Sequence, residues 1–262
     1  MRRGAGEETV IGVCLSGARG RMGRMLAEMI AASGRLEIAA ALERPAHPEL
    51  GMEIAPGVRL TGEAPAAIAA AEVVLDFSLP EAVIEHLGHA VDTTRPFVTG
   101  TTGFSPEHSL VFERAAKKIA VVRASNMSRG VYVLGRLVGE AARALKGYDA
   151  EVFEMHHAAK ADAPSGTALQ LAEGVCAARE EGETIYGRDT RRRPGEVGIS
   201  SARGGDVVGE HRVMFLGDGE QIILTHRATS RRHFCAGALA AAEYAAGAAP
   251  GLWTMQDVFA GG

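Results

Sequence analysis

At 262 residues, 47% hydrophobic and 23% charged, the chain can bury one large core or two modest ones. A net charge of −4 argues against nucleic-acid binding, which needs clustered positive charge to displace counterions. Three scattered cysteines imply neither a disulfide framework nor a thiolate metal site, and no apolar run suits a membrane helix or secretory leader; a cytoplasmic, metal-free protein is expected.

The first apolar, β-branched run, Val10–Leu15, reads as a buried parallel strand. The spacing of Met22, Met25, Leu26, Met29 and Ile30 predicts a helix with the methionines in its core face, ended by Ser33-Gly34. Leu36–Leu42 is a second strand and completes a β-α-β unit. Next come a strand at Val73–Phe77, a helix from Pro80 to about Ala90, and a strand at Pro96–Thr99. A helix from Pro106 to Lys118 and a strand at Ile119–Arg123 follow. Such alternation predicts an α/β fold, an open Rossmann-like parallel sheet covered on both faces.

The pattern changes after Asn126. A helix near Val131–Leu145 leads to strands at Ala150–Met155, Gly198–Arg203, His211–Leu216 and Gln221–Ala228, with a helix at Ala168–Ala178. Gly217-Asp218-Gly219 marks a hairpin turn. Runs of strands suggest a second, smaller α+β domain. Thr184–Glu196, with Arg191-Arg192-Arg193, reads as a solvated, mobile loop, and the Ala-rich segment from about His233 to Ala249 as a helix returning to the first domain.

Four segments at predicted strand ends carry candidate cofactor contacts. Gly17-Ala18-Arg19-Gly20-Arg21-Met22-Gly23 lies between the first strand and first helix, where glycines permit a tight turn and close approach to a pyrophosphate. Glu43, at the end of the second strand, can accept hydrogen bonds from the ribose hydroxyls of NADH. Arg44 beside it could instead pair with the extra phosphate of NADPH, so the choice of cofactor stays open. Gly100-Thr101-Thr102-Gly103 and Ala124-Ser125-Asn126-Met127 suit the nicotinamide end.

The densest chemistry is in Glu154–Thr167. A strand end delivers His156 and His157, and Ser165-Gly166-Thr167 opens a helix whose first N–H groups suit a carboxylate. Lys160 can bind a second carboxylate or give up a proton. Asp162 orients Lys160 or caps the turn. Neighbouring histidines on a strand face opposite ways, which disfavours a shared metal ion. His211 and His226, inside predicted strands, read as hydrogen-bonded scaffold.

These blocks, with Asp76-Phe77, Gly204–His211, Thr225-His226 and Trp253–Val258, resemble the dihydrodipicolinate reductase family over nearly the whole chain. The resemblance implies a dinucleotide-binding domain at 1–127 with 236–262, and a substrate-binding and oligomerisation domain at 128–235 that builds a homotetramer. It implies NADH- or NADPH-dependent reduction of a cyclic dicarboxylate, 4-hydroxy-tetrahydrodipicolinate, with loss of water, on the diaminopimelate route to lysine. His156 then matches the proton donor/acceptor, Lys160 a proton donor and His157 a substrate contact, while Ser165, Gly166 and Thr167 stand at the carboxylate. Gly17–Met22, Glu43, Arg44, Gly100–Thr102 and Ala124–Met127 match the cofactor contacts. Arg19, where a small residue is common, and Arg129, where an apolar one is usual, depart from the pattern. Another dehydrogenase or a non-catalytic nicotinamide sensor on this scaffold is the alternative; His156 and Lys160 speak against the sensor.

Overall fold

The computed structural model describes residues 9–260, which fall into two compact units. One holds the chain up to Met127 and again from Phe234 onward; the other is Ser128–His233.

The first unit is built on β1 (Ile11–Ser16), whose Val13, Cys14 and Leu15 are wholly buried. A strand flanked on both sides and covered on both faces must be apolar throughout, and that continuous run is what makes it legible. Helix α1 (Arg21–Ala31) buries Gly23, Leu26 and Ile30. Met22, Met25 and Met29 are only half-buried, so the core face lies slightly round the helix from the methionine stripe. Strands β2 (Leu36–Leu42), β3 (Glu53–Ala55) and β4 (Val58–Thr61), helix α2 (Ala64–Ala69) and strand β5 (Val73–Asp76) follow. Then come α3 (Pro80–Asp92), β6 (Phe97–Thr99), α4 (Pro106–Ala116) and β7 (Ala120–Arg123). Pro80 opens α3 at a position where its missing N–H costs nothing, and Ser105 caps α4 reciprocally with His108.

With β13 (Gly251–Trp253) from the end of the chain, the strand order is β13-β7-β6-β5-β1-β2-β4-β3, and every neighbouring pair is parallel except β3 with β4. The last pieces, α7 (Arg232–Gly247), β13 (Gly251–Trp253) and α8 (Met255–Ala260), bring one more strand to β7. Leu42, Val74, Leu87, Phe97 and Phe112 fill this core, each worth about 1.5–3 kcal/mol when fully buried.

The second unit runs α5 (Arg129–Ala144), β8 (Asp149–His156), α6 (Gly166–Arg179), β9 (Glu183–Tyr186), β10 (Glu196–Arg203), β11 (Gly209–Leu216) and β12 (Gln221–Ala228). Its sheet order is β12-β11-β8-β10-β9. The β12–β11 and β11–β8 pairs are antiparallel, while β8–β10 and β10–β9 are parallel. Parallel neighbours need a crossover, and α6 supplies it, so the sheet is mixed rather than a simple run of hairpins. Helices α5 and α6 cover one face over a core of Val138, Val152, Leu171, Val175, Val213 and Phe215.

The solvated loop expected at Thr184–Glu196 is corrected. Its start is strand β9, and three of its four arginines are paired with carboxylates, while Arg191 is exposed as expected. Arg188 pairs with Glu151 at 2.8 Å and Glu196 at 3.1 Å, and Arg192 with Glu151 at 2.6 Å and Asp149 at 2.8 Å. Arg193 reaches Glu196 at 2.6 Å. Glu196 is buried and is compensated by Arg188 and Arg193 from the same segment, while the other carboxylates that anchor the arginines, Glu151 and Asp149, lie on β8, out of reach of local sequence.

Candidate functional site

In the first unit the chain builds outward from β1 in one direction through β2, β4 and β3, then returns to build the other way through β5, β6 and β7. The order reverses between β1 and β5, and ligands of open α/β sheets collect at such a switch, beyond the carboxyl ends of the strands. All the predicted cofactor residues lie at that end: Gly17–Gly20 in the turn after β1 with Arg21 and Met22 opening α1, Glu43-Arg44 after β2, Gly100–Thr102 after β6 and Ala124–Met127 after β7.

The glycine loop is held tightly. Gly17 adopts φ +71°, and its N–H and that of Ala18 donate to the Leu42 carbonyl at 3.0 and 3.3 Å. A Cβ on Gly23 would stand 2.1 Å from the Gly17 carbonyl oxygen, so only glycine lets α1 start this close to the turn. Gly20 caps α1 without any side-chain hydrogen bond, which suits the first-turn N–H groups to an anion. Gly100 lies against the Phe77 ring, 2.4 Å from where its Cβ would be. The cradle and the side-chain-free helix start fit a dinucleotide.

Glu43 accepts from the backbone N–H of Arg19 at 3.0 Å and of Arg44 at 3.2 Å, which turns its carboxylate to the rim of the glycine loop. The Arg19 guanidinium pairs with Glu49, while Arg44 is exposed. Thr101 Oγ1 donates to the Ser78 carbonyl at 2.9 Å and ties the β6 loop to the β5 loop. Met127 is buried, and its carbonyl packs where Gly237 of α7 has no side chain. Beneath the loops, buried Asp76 accepts from Ser78 N and Oγ at 2.8 and 2.6 Å and pairs with His86 at 2.7 Å.

In the second unit, β8 ends at His156, and alternation along the strand sets Glu154 on the same face. Glu154 is fully buried. Its Oε2 meets His156 Nδ1 at 2.6 Å, and Arg203 from β10 donates to both oxygens at 2.9 and 2.8 Å. The Ser165 N–H donates to Oε1 at 3.1 Å. Burial alone would raise the Glu154 pKa, but hydrogen bonds from Arg203, Ser201 and His156 hold it down at about 2. Burial lowers the pKa of His156, and the charges of Lys160 and Arg203 add to this against the opposing pull of Glu154.

Ser165 caps α6, taking the Ala168 N–H at 3.3 Å, and its hydroxyl lies 3.1 Å from His211 Nε2. The His211 and His156 rings meet edge to face at 5.1 Å between centroids. Burial, with the charge of His156 second, lowers the His211 pKa to about 4. Lys160 Nζ donates to Asp162 at 2.7 Å, so of the two roles given to Asp162 the geometry supports orienting Lys160. Gly166 is exposed at the first turn of α6 with open space at its Cα, and Thr167 follows it. His157 does not join the Glu154 hydrogen bonds; its carbonyl takes the Lys160 N–H at 3.1 Å.

The structure thus brings His156, Lys160, Ser165, Gly166 and Thr167 to one end of the second sheet. Sequence reasoning gave no role to two members of the network, Glu154 and Arg203. Glu154 was legible in principle from its i, i+2 spacing to His156. Arg203 comes from another strand, in register with His156, and local pattern could not place it. His211, expected to be scaffold, touches both Ser165 and His156. Among the described residues no group of three or more His, Cys, Asp or Glu side chains is placed to hold a metal ion.

A dinucleotide crevice at a sheet switch point and a second, mixed-sheet unit bearing an imidazole beside a lysine define a nicotinamide-dependent oxidoreductase of Rossmann type. Residues 11–127 match the family described as dihydrodipicolinate reductase, N-terminus, and residues 130–259 its C-terminus. A curated 4-hydroxy-tetrahydrodipicolinate reductase from Nitrosomonas europaea is 42% identical over 95% of this chain and 98% of its own. The enzyme of the same name from Aromatoleum aromaticum is 44% identical over 94% of each. Among solved structures, a dipicolinate-bound dihydrodipicolinate reductase from Paenisporosarcina sp. TG-14 shares the fold with a TM-score of 0.75, at 24% identity over 96% of this chain and 100% of its own. The chain belongs to the dihydrodipicolinate reductase family.

Proposed function

We propose that this chain reduces 4-hydroxy-tetrahydrodipicolinate to tetrahydrodipicolinate, with loss of water, using NADH or NADPH in lysine and diaminopimelate biosynthesis. The observation that carries this reading is the Glu154-held His156 beside Lys160, at the strand end next to the Ser165-capped start of α6. When bound, the dinucleotide supplies hydride to the conjugated imine of the substrate. The first unit serves as the dinucleotide-binding domain. Gly17–Met22 and Gly100–Thr102 lie along it, Ala124–Met127 meet its nicotinamide end, and Glu43 holds its ribose with Arg44 beside it.

The second unit serves as the substrate domain. The start of α6 at Gly166-Thr167 grips one carboxylate through backbone N–H groups and the Thr167 hydroxyl. Lys160 and His157 meet the remainder of the dianion. At neutral pH the lowered pKa leaves His156 mainly neutral, with Nδ1–H donating to Glu154 and Nε2 as an acceptor. Lys160 is then the proton-rich partner, and the two side chains together carry the proton to the carbon beside the one that takes hydride.

The assembly is a homotetramer in the cytoplasm. Supporting this, the sheet face away from α5 and α6 carries half-buried Phe153, Met155 and Met214 and the 48% exposed Ile223. The test is nicotinamide absorbance on freshly generated synthase product: oxidation of NADH or NADPH supports the assignment, and none with either cofactor refutes it.

A further inference from the structure

We propose that Glu154 is a positioning residue for proton transfer: one buried carboxylate orients the His156 imidazole with one oxygen and anchors the start of α6 with the other. The inference rests on the reading of His156 as a proton carrier and deepens it. An ionised carboxylate only accepts, so His156 Nδ1 must carry the hydrogen in the 2.6 Å contact. That fixes the tautomer and leaves Nε2 as the working edge. Room for that edge comes from Gly209, where a Cβ would stand 3.0 Å from Nε2. The Ser165 N–H, 3.1 Å from the other oxygen, ties the helix start to the same anchor. Arg203, which donates to both oxygens, keeps the carboxylate charged in its buried place.

The charged and titratable groups around His156 are Glu154 on its own strand, Lys160 and Asp162 in the loop beyond, Arg203 on β10 and His211 on β11. Of these only Glu154 hydrogen-bonds its ring, so the ring's orientation and the stability of the imidazolium both pass through one residue.

The test uses Glu154→Gln and the double variant Glu154→Gln/Arg203→Met, which removes both charges and leaves no guanidinium unpaired if the single variant fails to fold. Ring ¹⁵N resonances of His156 in the cofactor-loaded protein should show the Nδ1–H tautomer in the wild type and a loss of that preference in the variants. The kcat limb that reports His156 should move to lower pH, because the imidazolium loses its counter-charge, and kcat should fall about 10²-fold or more while the cofactor Kd stays within about 2-fold. In a His156→Ala background Glu154→Gln should cost less than about 3-fold, since the two act as a unit. An active wild type whose variants keep the tautomer and the pH limb, or an additive loss in the His156→Ala background, overturns this proposal alone. A wild type that turns over neither cofactor overturns it together with the reading beneath it.

Discussion

Two protonation environments dominate at the residue scale. His211 is kept neutral by burial at a pKa of about 4 against the usual 6.5. The unfolded chain therefore binds more protons between those values, so His211 contributes stability that is fully present above about pH 6.5 and is lost as pH falls towards 4. Thermal unfolding from pH 7 to 4.5 should show this decline, and a His211→Gln variant should flatten it; an unchanged slope would remove His211 as the cause. His156→Ala should lower kcat by roughly 10²–10⁴-fold and leave cofactor affinity nearly intact, as read by initial rates and fluorescence titration. Turnover close to wild type would show that the proton travels another way. Glu43→Ala should weaken NADH more than NADPH, because its carboxylate, oriented by the Arg19 and Arg44 N–H groups, suits ribose hydroxyls. A uniform loss in calorimetry would contradict the ribose role.

Among the elements, the starts of α1 and α6 are the two to which the proposed function assigns anion binding, and they are built differently. Gly20 leaves α1 without a side-chain cap, whereas Ser165 caps α6 and also meets His211. Gly23→Ala should therefore damage the first unit directly: the new Cβ, 2.1 Å from the Gly17 carbonyl, must push α1 off the loop. A loss of about 1–3 kcal/mol in denaturant unfolding, with dinucleotide binding weakened by at least 10-fold, is expected. Normal binding would show that close helix approach is not needed. Legibility also divides by element. Buried parallel strands such as β1 and β5 stand out as apolar runs, so the first sheet is readable. Strands β3 and β4, with three and four residues, and the six-residue α2 are too short for any period to show, and β13 hides behind the Ala-rich α7. The Arg188 and Arg192 anchors depend on carboxylates about 40 residues away in sequence, at a separation where local pattern carries no signal.

At the scale of the whole molecule, the proposed function divides the work between the two units: the first would hold the dinucleotide, and the second the groups that grip and protonate a dicarboxylate. His156, Lys160 and the Ser-Gly-Thr turn were readable because they sit within a dozen residues of one another. Arg203 and His211 were not, since β10 and β11 join β8 only after folding. Pyridine-2,6-dicarboxylate, a planar mimic of the product ring, should compete with substrate but not with the dinucleotide. The measurement that bears most directly on the central claim is the initial rate of the intact protein with freshly generated 4-hydroxy-tetrahydrodipicolinate and each cofactor in turn. The expected result is stoichiometric oxidation of NADH, NADPH or both that pyridine-2,6-dicarboxylate suppresses and His156→Ala nearly abolishes. Steady nicotinamide absorbance with both cofactors, from folded protein that still binds them, would contradict it.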